Sequence, residues 1–195
     1  MSRKCWTAAT FVQQKNNKMK KNILIYGLIA GLIVSALMAV TLGMTSKSGN
    51  FDNGMFLGYA SMLIAFSMIF VGIKNYRDKY NGGVISFGKS FKIGLLITLI
   101  ASTIYVIVWL IEEHFFFPDF MEKYTTYELN KLQTSNISAA KLAAETKQLE
   151  QAKEWYKNPF FKILMTYAEI LPVGLVVTLI SSLILKRKAP QQTTI

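Results

Sequence analysis

Long uninterrupted apolar runs, with no alternation inside them, set the pattern of this chain. Ile23 to Met44 carries no charge, and neither do Met55 to Ile73 and Ile93 to Ile111; Ile163 to Leu185 is interrupted only by Glu169 and Pro172. At about 1.5 Å per helical residue, each run is long enough to cross a hydrocarbon layer about 30 Å thick. A membrane-spanning strand would need only about ten residues and would alternate, which these runs do not. The pattern predicts an all-α polytopic membrane protein with spans at about 23–44, 55–73, 93–111 and 163–185.

Between the third and fourth spans, residues 112–159 are polar enough to form a separate small unit. Pro118-Asp119 can open a helix with Phe120, Tyr124 and Tyr127 on one face. After the turn-like Thr134-Ser135-Asn136, the residues Ala139, Leu142, Leu149, Ala152 and Tyr156 recur at helical spacing until Asn158-Pro159. A helical hairpin resting on the outer end of the bundle is expected. Trp109, Phe115, Phe116, Phe117, Trp155, Tyr156, Phe160 and Phe161 gather at its junctions, where an interfacial aromatic belt would sit.

Composition agrees with this architecture. The chain is 52% apolar and 17% charged, with a mean hydropathy of +0.31, against about 25% charge in a typical soluble domain. That argues against a soluble enzyme, a disulfide scaffold and a disordered tail. Cys5, the one cysteine, has no internal partner and no companions for a metal site. The net charge of +11 reads as membrane topology and not as nucleic-acid binding. Six Lys or Arg precede the first span, five lie between the second and third, and three follow the fourth, whereas the first loop has only Lys47. Both termini and the second loop are therefore expected in the cytoplasm, and the first and third loops outside. Residues 1–18 read as a polar N-terminal extension, disordered or upstream of a true start at Met19. Residues 19–188 read as the membrane domain, and 189–195 as a cytoplasmic tail.

Few positions suggest chemistry. Gly27, Gly31, Ser35, Ala39 and Gly43 form a four-residue stripe of small side chains on the first span, suited to close helix approach. It serves either packing inside the bundle, the favoured reading, or a dimer interface, and Gly31→Leu is expected to disrupt assembly in both cases. Gly58, Ser61, Ala65 and Gly72 make a looser stripe on the second span. Gly83 to Ser90 matches the phosphate-loop pattern letter for letter, but the polar stretch before it offers no buried strand, and a nucleotide site is not expected. Gly82-Gly83 reads as a turn, and Lys89 and Lys92 as contacts to anionic lipid at the inner interface.

Glu169 is the most informative residue. A carboxylate inside a span costs about 3 kcal/mol on insertion scales, so it should face the bundle and find partners. Tyr105 and Tyr59 are placed at similar depth and are expected to donate to it. Pro172 removes a backbone donor and leaves the Ala168 carbonyl unpaired, which favours a kink. Glu169 is read either as a protonatable site coupling an ion or substrate, or as a protonated, hydrogen-bonded group fixing helix register, with the second favoured. Lys162 is expected to snorkel outward. Glu112, Glu113 and His114 point to different sides of a helix, so no metal is expected; no cofactor is implied, and no catalytic constellation presents itself.

The basic start, the segment Asn81-Gly82-Gly83-Val84-Ile85-Ser86-Phe87-Gly88-Lys89-Ser90-Phe91-Lys92-Ile93-Gly94, and Glu169-Ile170-Leu171-Pro172-Val173-Gly174-Leu175 resemble a family of Bacteroidota membrane proteins. It is catalogued as domain of unknown function number forty-one ninety-nine. The resemblance covers about residues 19–188. It implies four membrane helices, a bacterial inner membrane and hence a periplasmic third loop, and it supplies no activity. The expected function is that of a non-enzymatic accessory or structural protein acting through protein or lipid contacts. Its partners would be the bilayer and a second copy or another membrane protein, with no nucleic acid. The alternative is a small ion- or proton-coupled transporter or channel subunit using Glu169.

Overall fold

A computed structural model describes residues 2–135 and 137–188, with side chains from residue 13 onward. The tail expected at 189–195 lies outside the described residues, and the reading of residues 1–18 as an extension falls partly outside them. The elements are α1 (Ser2–Ser48), α2 (Phe51–Asn75) continued by a π-helical turn (Tyr76–Tyr80), α3 (Phe87–Phe115), α4 (Phe120–Thr134), α5 (Ala139–Tyr156) and α6 (Pro159–Leu185). Among the described residues the extended structure amounts to one isolated bridge, Ile85 with Arg187.

Four of these helices are long and apolar enough to cross a membrane: α1 from Gln13 onward, α2 with its π-helical turn, α3 and α6. The chain is a multi-pass, all-α membrane protein, and α4 and α5 pair as a helical hairpin between the third and fourth long helices.

Local chemistry fixes the helix starts. The side chains of Asn50, Ser86, Ser138 and Asn158 each accept from a backbone N–H in the first turn of α2, α3, α5 and α6 respectively. Asn158-Pro159 closes α5 and also opens α6, because proline at the first helical position has no N–H to leave unpaired. The fourth long helix therefore begins four residues before the apolar run at Ile163.

The four long helices form a rhombus in which α1 packs on α2 and α3, α6 packs on the same two, and α2 meets α3 across the short diagonal. Small residues permit the close approaches. A Cβ on Gly27 would lie 2.8 Å from Ile100, and one on Gly31 would lie 2.6 Å from the Ile104 side chain, so this part of the stripe seats α1 on α3. Ser35 is buried with them, whereas Ala39 is exposed and nothing lies within 4 Å of a Cβ at Gly43. Between α3 and α6 the arrangement is reciprocal. A Cβ on Gly94 would meet Thr178 at 2.7 Å, a Cβ on Gly174 would strike Thr98 and Phe66, and the Thr98 and Thr178 hydroxyls lie 3.0 Å apart.

Polar contacts gather the start of the first span, the α2–α3 connection and the end of α6 at one end of the bundle. Buried Asn22 donates to the Gly72 carbonyl and accepts from Asn75. Arg77 donates to the Leu185 carbonyl, and Ile85 and Arg187 exchange backbone hydrogen bonds. Most of the basic residues outside the hairpin lie at this end, and Asp78 is its one acidic residue. The turn at Gly82-Gly83 uses positive φ at both glycines, +67° and +76°. The phosphate-loop pattern is not assembled, since a helical turn and not a strand precedes it. Lys89 reaches the Asn81 side chain and lies over the Tyr76 ring, and the Ser90 hydroxyl donates back to the Ser86 and Phe87 carbonyls.

Candidate functional site

The opposite end of the bundle is loosely filled. Beneath the hairpin, the long helices part around a cavity of about 490 Å³ to which all six helices contribute. That volume lies in the ordinary range for small-molecule sites. From α2 come Gly54, Gly58, Tyr59 and Ser61; from α3, Tyr105 and Trp109; from α6, Met165, Thr166 and Glu169. On α1, Thr41 and Thr45 stand one turn apart with Val34 and Met38 below them. The hairpin closes the top with Phe120, Met121 and Tyr124 of α4 and Leu149, Ala152 and Tyr156 of α5. The α5 positions fall three and four residues apart, so the apolar stripe legible in that helix is the one it turns toward the cavity.

Two clusters seat the hairpin. Phe51, at the start of α2, receives the rings of Phe120, Tyr124 and Tyr127 with centroids 5.3 to 5.9 Å away, and Lys131 pairs with Asp52 at 2.6 Å. On the other side, buried Trp109 donates its indole N–H to the Tyr156 hydroxyl at 2.9 Å. Burial pushes the Tyr156 hydroxyl well above the ordinary tyrosine range, so it stays neutral; among the described residues nothing accepts its own proton. Lys162 does not snorkel outward. It pairs with Glu113 at 2.7 Å and lies over the Tyr156 ring, because the end of α3 and the start of α6 are antiparallel neighbours. The expected aromatic belt divides here. Trp109 and Tyr156 are buried, while Phe115, Phe116, Trp155 and Phe160 remain exposed, as an interfacial girdle would be.

Glu169 is the one acidic residue lining the cavity. It lies ten residues into α6, roughly 15 Å along the helix by helical rise. Tyr59 and Tyr105 line the same cavity. Among the described residues neither phenol hydrogen-bonds to the carboxylate, and no ion pair reaches it. Pro172 lies one turn further along, outside the lining, and α6 continues through it. Met55 and Tyr59 of α2 and Met165 and Glu169 of α6 line the cavity and are all exposed, which places an opening between α2 and α6 with the carboxylate at it.

Several features were not singled out from the sequence: the lining positions Gly54, Thr41, Thr45 and Thr166, and the Glu113–Lys162 pair. Their signal, hydroxyl and glycine positions within apolar runs, is the same one that helix packing produces. Lys92 is exposed and Lys89 half-buried at the basic end. Among the described residues no group of three His, Cys, Asp or Glu side chains could hold a metal ion.

No curated protein and no solved structure matches the chain. A family model does match, over residues 25–187, from the first long helix to the basic end of α6. The chain belongs to that family, described as protein of unknown function (DUF4199).

Proposed function

We propose that this is a non-enzymatic protein of the bacterial inner membrane, with both termini in the cytoplasm, that holds a small ligand in the cavity beneath its hairpin. The observation that carries the reading is the cavity itself, sized for a ligand and lined by a carboxylate that makes no hydrogen bond or ion pair among the described residues. A polar group within a span that finds no partner is a costly feature to keep for packing alone. The inner-membrane placement rests on the family resemblance, and the orientation on the basic residues around the α1 start, the α2–α3 connection and the α6 end. On that orientation the hairpin and the cavity face the periplasm. The accessory role fits the exposed outer surface of α5, which leaves the hairpin free to meet another membrane protein.

A second reading, a small transporter using Glu169 as its coupling group, shares the cavity as its entry. Below the cavity, however, Phe66, Ile69, Ile97 and Thr98 have no accessible surface, so passage would require the tightest part of the bundle to open. The two readings separate experimentally. Native mass spectrometry of the protein extracted from its own membranes should show a retained small molecule or lipid at one per chain. Filling the cavity with Gly58→Trp should remove it. A wild-type protein that carries no adduct, and whose spectrum Gly58→Trp leaves unchanged, overturns the binding proposal. Uptake into proteoliposomes that is lost in Glu169→Gln would favour the transporter.

A further inference from the structure

We infer that the cavity takes an organic cation, a molecule with one positive charge on an apolar, ring-sized body. The inference rests on the ligand-binding proposal and names the chemical class of its ligand.

Charge is the first argument. Glu169 is the one acidic lining residue, and among the described residues no basic side chain lines the cavity with it. Lys162, the nearest basic residue in sequence, is already held by Glu113. Glu112 stands one helical turn beyond Trp109 on the same face of α3, and its Oε2 atom is buried without a partner. Glu112 lies outside the lining, so the charge at the cavity is that of Glu169 alone, and an arriving cation would supply its counter-charge. An arriving anion would find no basic side chain among the described lining residues and would be opposed by Glu169 in its ionised form.

The walls are the second argument. Tyr59, Tyr105, Trp109 and Tyr124 place four electron-rich rings around the same space, and a fifth, Tyr156, already carries the Lys162 ammonium. Ring faces attract ammonium and phosphonium groups, more strongly once these are desolvated. A bare metal ion would need several oxygen ligands at short range, and one carboxylate among rings and methionines does not provide them. The mouth is the third argument. It opens sideways between α2 and α6 at exposed Met55, Tyr59 and Met165. A ligand arriving by that route comes from the lipid and must be apolar over most of its surface.

The test uses tetraphenylphosphonium and its isosteric anion tetraphenylborate, each measured by equilibrium dialysis against the full-length protein in detergent. Wild type should bind the phosphonium in a saturable way and the borate at least about tenfold more weakly. Glu169→Gln keeps the side chain's shape; it should weaken phosphonium binding about tenfold or more and narrow the gap between the two ions. Gly58→Trp should abolish binding of the phosphonium. Size-exclusion profiles matching wild type confirm that both variants fold, and Glu169→Asp, which keeps the charge, should recover most of the affinity. Equal binding of cation and anion, or phosphonium binding indifferent to Glu169→Gln, overturns the cation assignment and leaves the ligand-binding proposal standing. Absence of binding by either ion overturns the cation assignment, and only the loss of the native adduct as well would overturn the cavity proposal.

Discussion

The two ends of the bundle use the same kinds of residue for opposite purposes. Toward the basic end, Gly94 and Gly174 meet Thr178 and Thr98 across α3 and α6, and each glycine is small because a neighbour occupies the space a side chain would need. Toward the hairpin end, Gly58 on α2 has nothing within 4 Å of where its Cβ would be, and it lines a cavity. Hydroxyls do not divide so cleanly: Thr98 and Thr178 hydrogen-bond to each other, while at the hairpin end Thr166 donates to the Lys162 carbonyl and Thr45 packs on Gly54, although both also line the cavity. A membrane helix gains little from hydrophobic burial against another helix, so tight contact depends on small residues and interhelical hydrogen bonds. Gly58 makes no such contact, and the ligand proposed above would occupy the space beside it.

The largest effects should come from filling the tight end. Gly174→Leu drives a branched side chain into Thr98 and Phe66, both fully buried. Overpacking of this kind costs about 3 kcal/mol, and the protein should be lost from the monodisperse fraction on size exclusion. Recovery of normal yield and melting temperature would show that the α3–α6 contact is looser than its geometry. Gly31→Leu meets Ile104 at a similarly short distance, but Ile104 is only half-buried and can turn aside. A loss of about 2 kcal/mol is expected, read as a lowered melting temperature in detergent. An unchanged melting temperature with altered oligomeric mass would instead place this stripe between chains.

A smaller effect is expected where the hairpin joins the bundle. Trp109→Phe keeps the aromatic body against Phe120, with which it now makes an edge contact at 4.9 Å, and removes only the hydrogen bond to Tyr156. About 1 kcal/mol should be lost. Hydrogen exchange should show the loss concentrated in α5, since α5 is tied down there while α4 is held separately by Phe51. Uniform loosening of α4 and α5 would mean that the hairpin moves as one piece.

Much of this fold could be read from the chain because membrane insertion imposes strong rules. The four apolar runs, the Gly82-Gly83 turn and the Asn158-Pro159 boundary each follow from a local requirement. The face of α4 carrying Phe120, Tyr124 and Tyr127 was legible for the same reason, although Phe51 as its partner was not. The cavity was only half legible. Glu169, Tyr59 and Tyr105 could be placed at one depth by counting helical rise, yet whether they touch or enclose a space depends on how far the helices splay. Splay is set by the hairpin wedged above them, and by contacts such as Glu113 with Lys162 that join residues 49 positions apart. Gly58 shows the limit most plainly: its spacing to Ser61 and Ala65 is that of a packing stripe, and only the surroundings distinguish it.

Gly58→Leu should therefore have the smallest effect on stability and be the most informative of the series. A glycine inside a helix costs roughly 0.5–1 kcal/mol relative to a good helix former. With nothing within 4 Å of its Cβ, leucine meets no clash to set against that gain. The melting temperature should stay level or rise slightly, in contrast to the losses at Gly174 and Gly31. The isobutyl group meanwhile occupies part of the cavity, so ligand capacity should fall while stability does not. A destabilised Gly58→Leu protein would show that α2 meets another surface there, a second chain or the hairpin in a closed position, and the apparent cavity would then be a contact site between proteins.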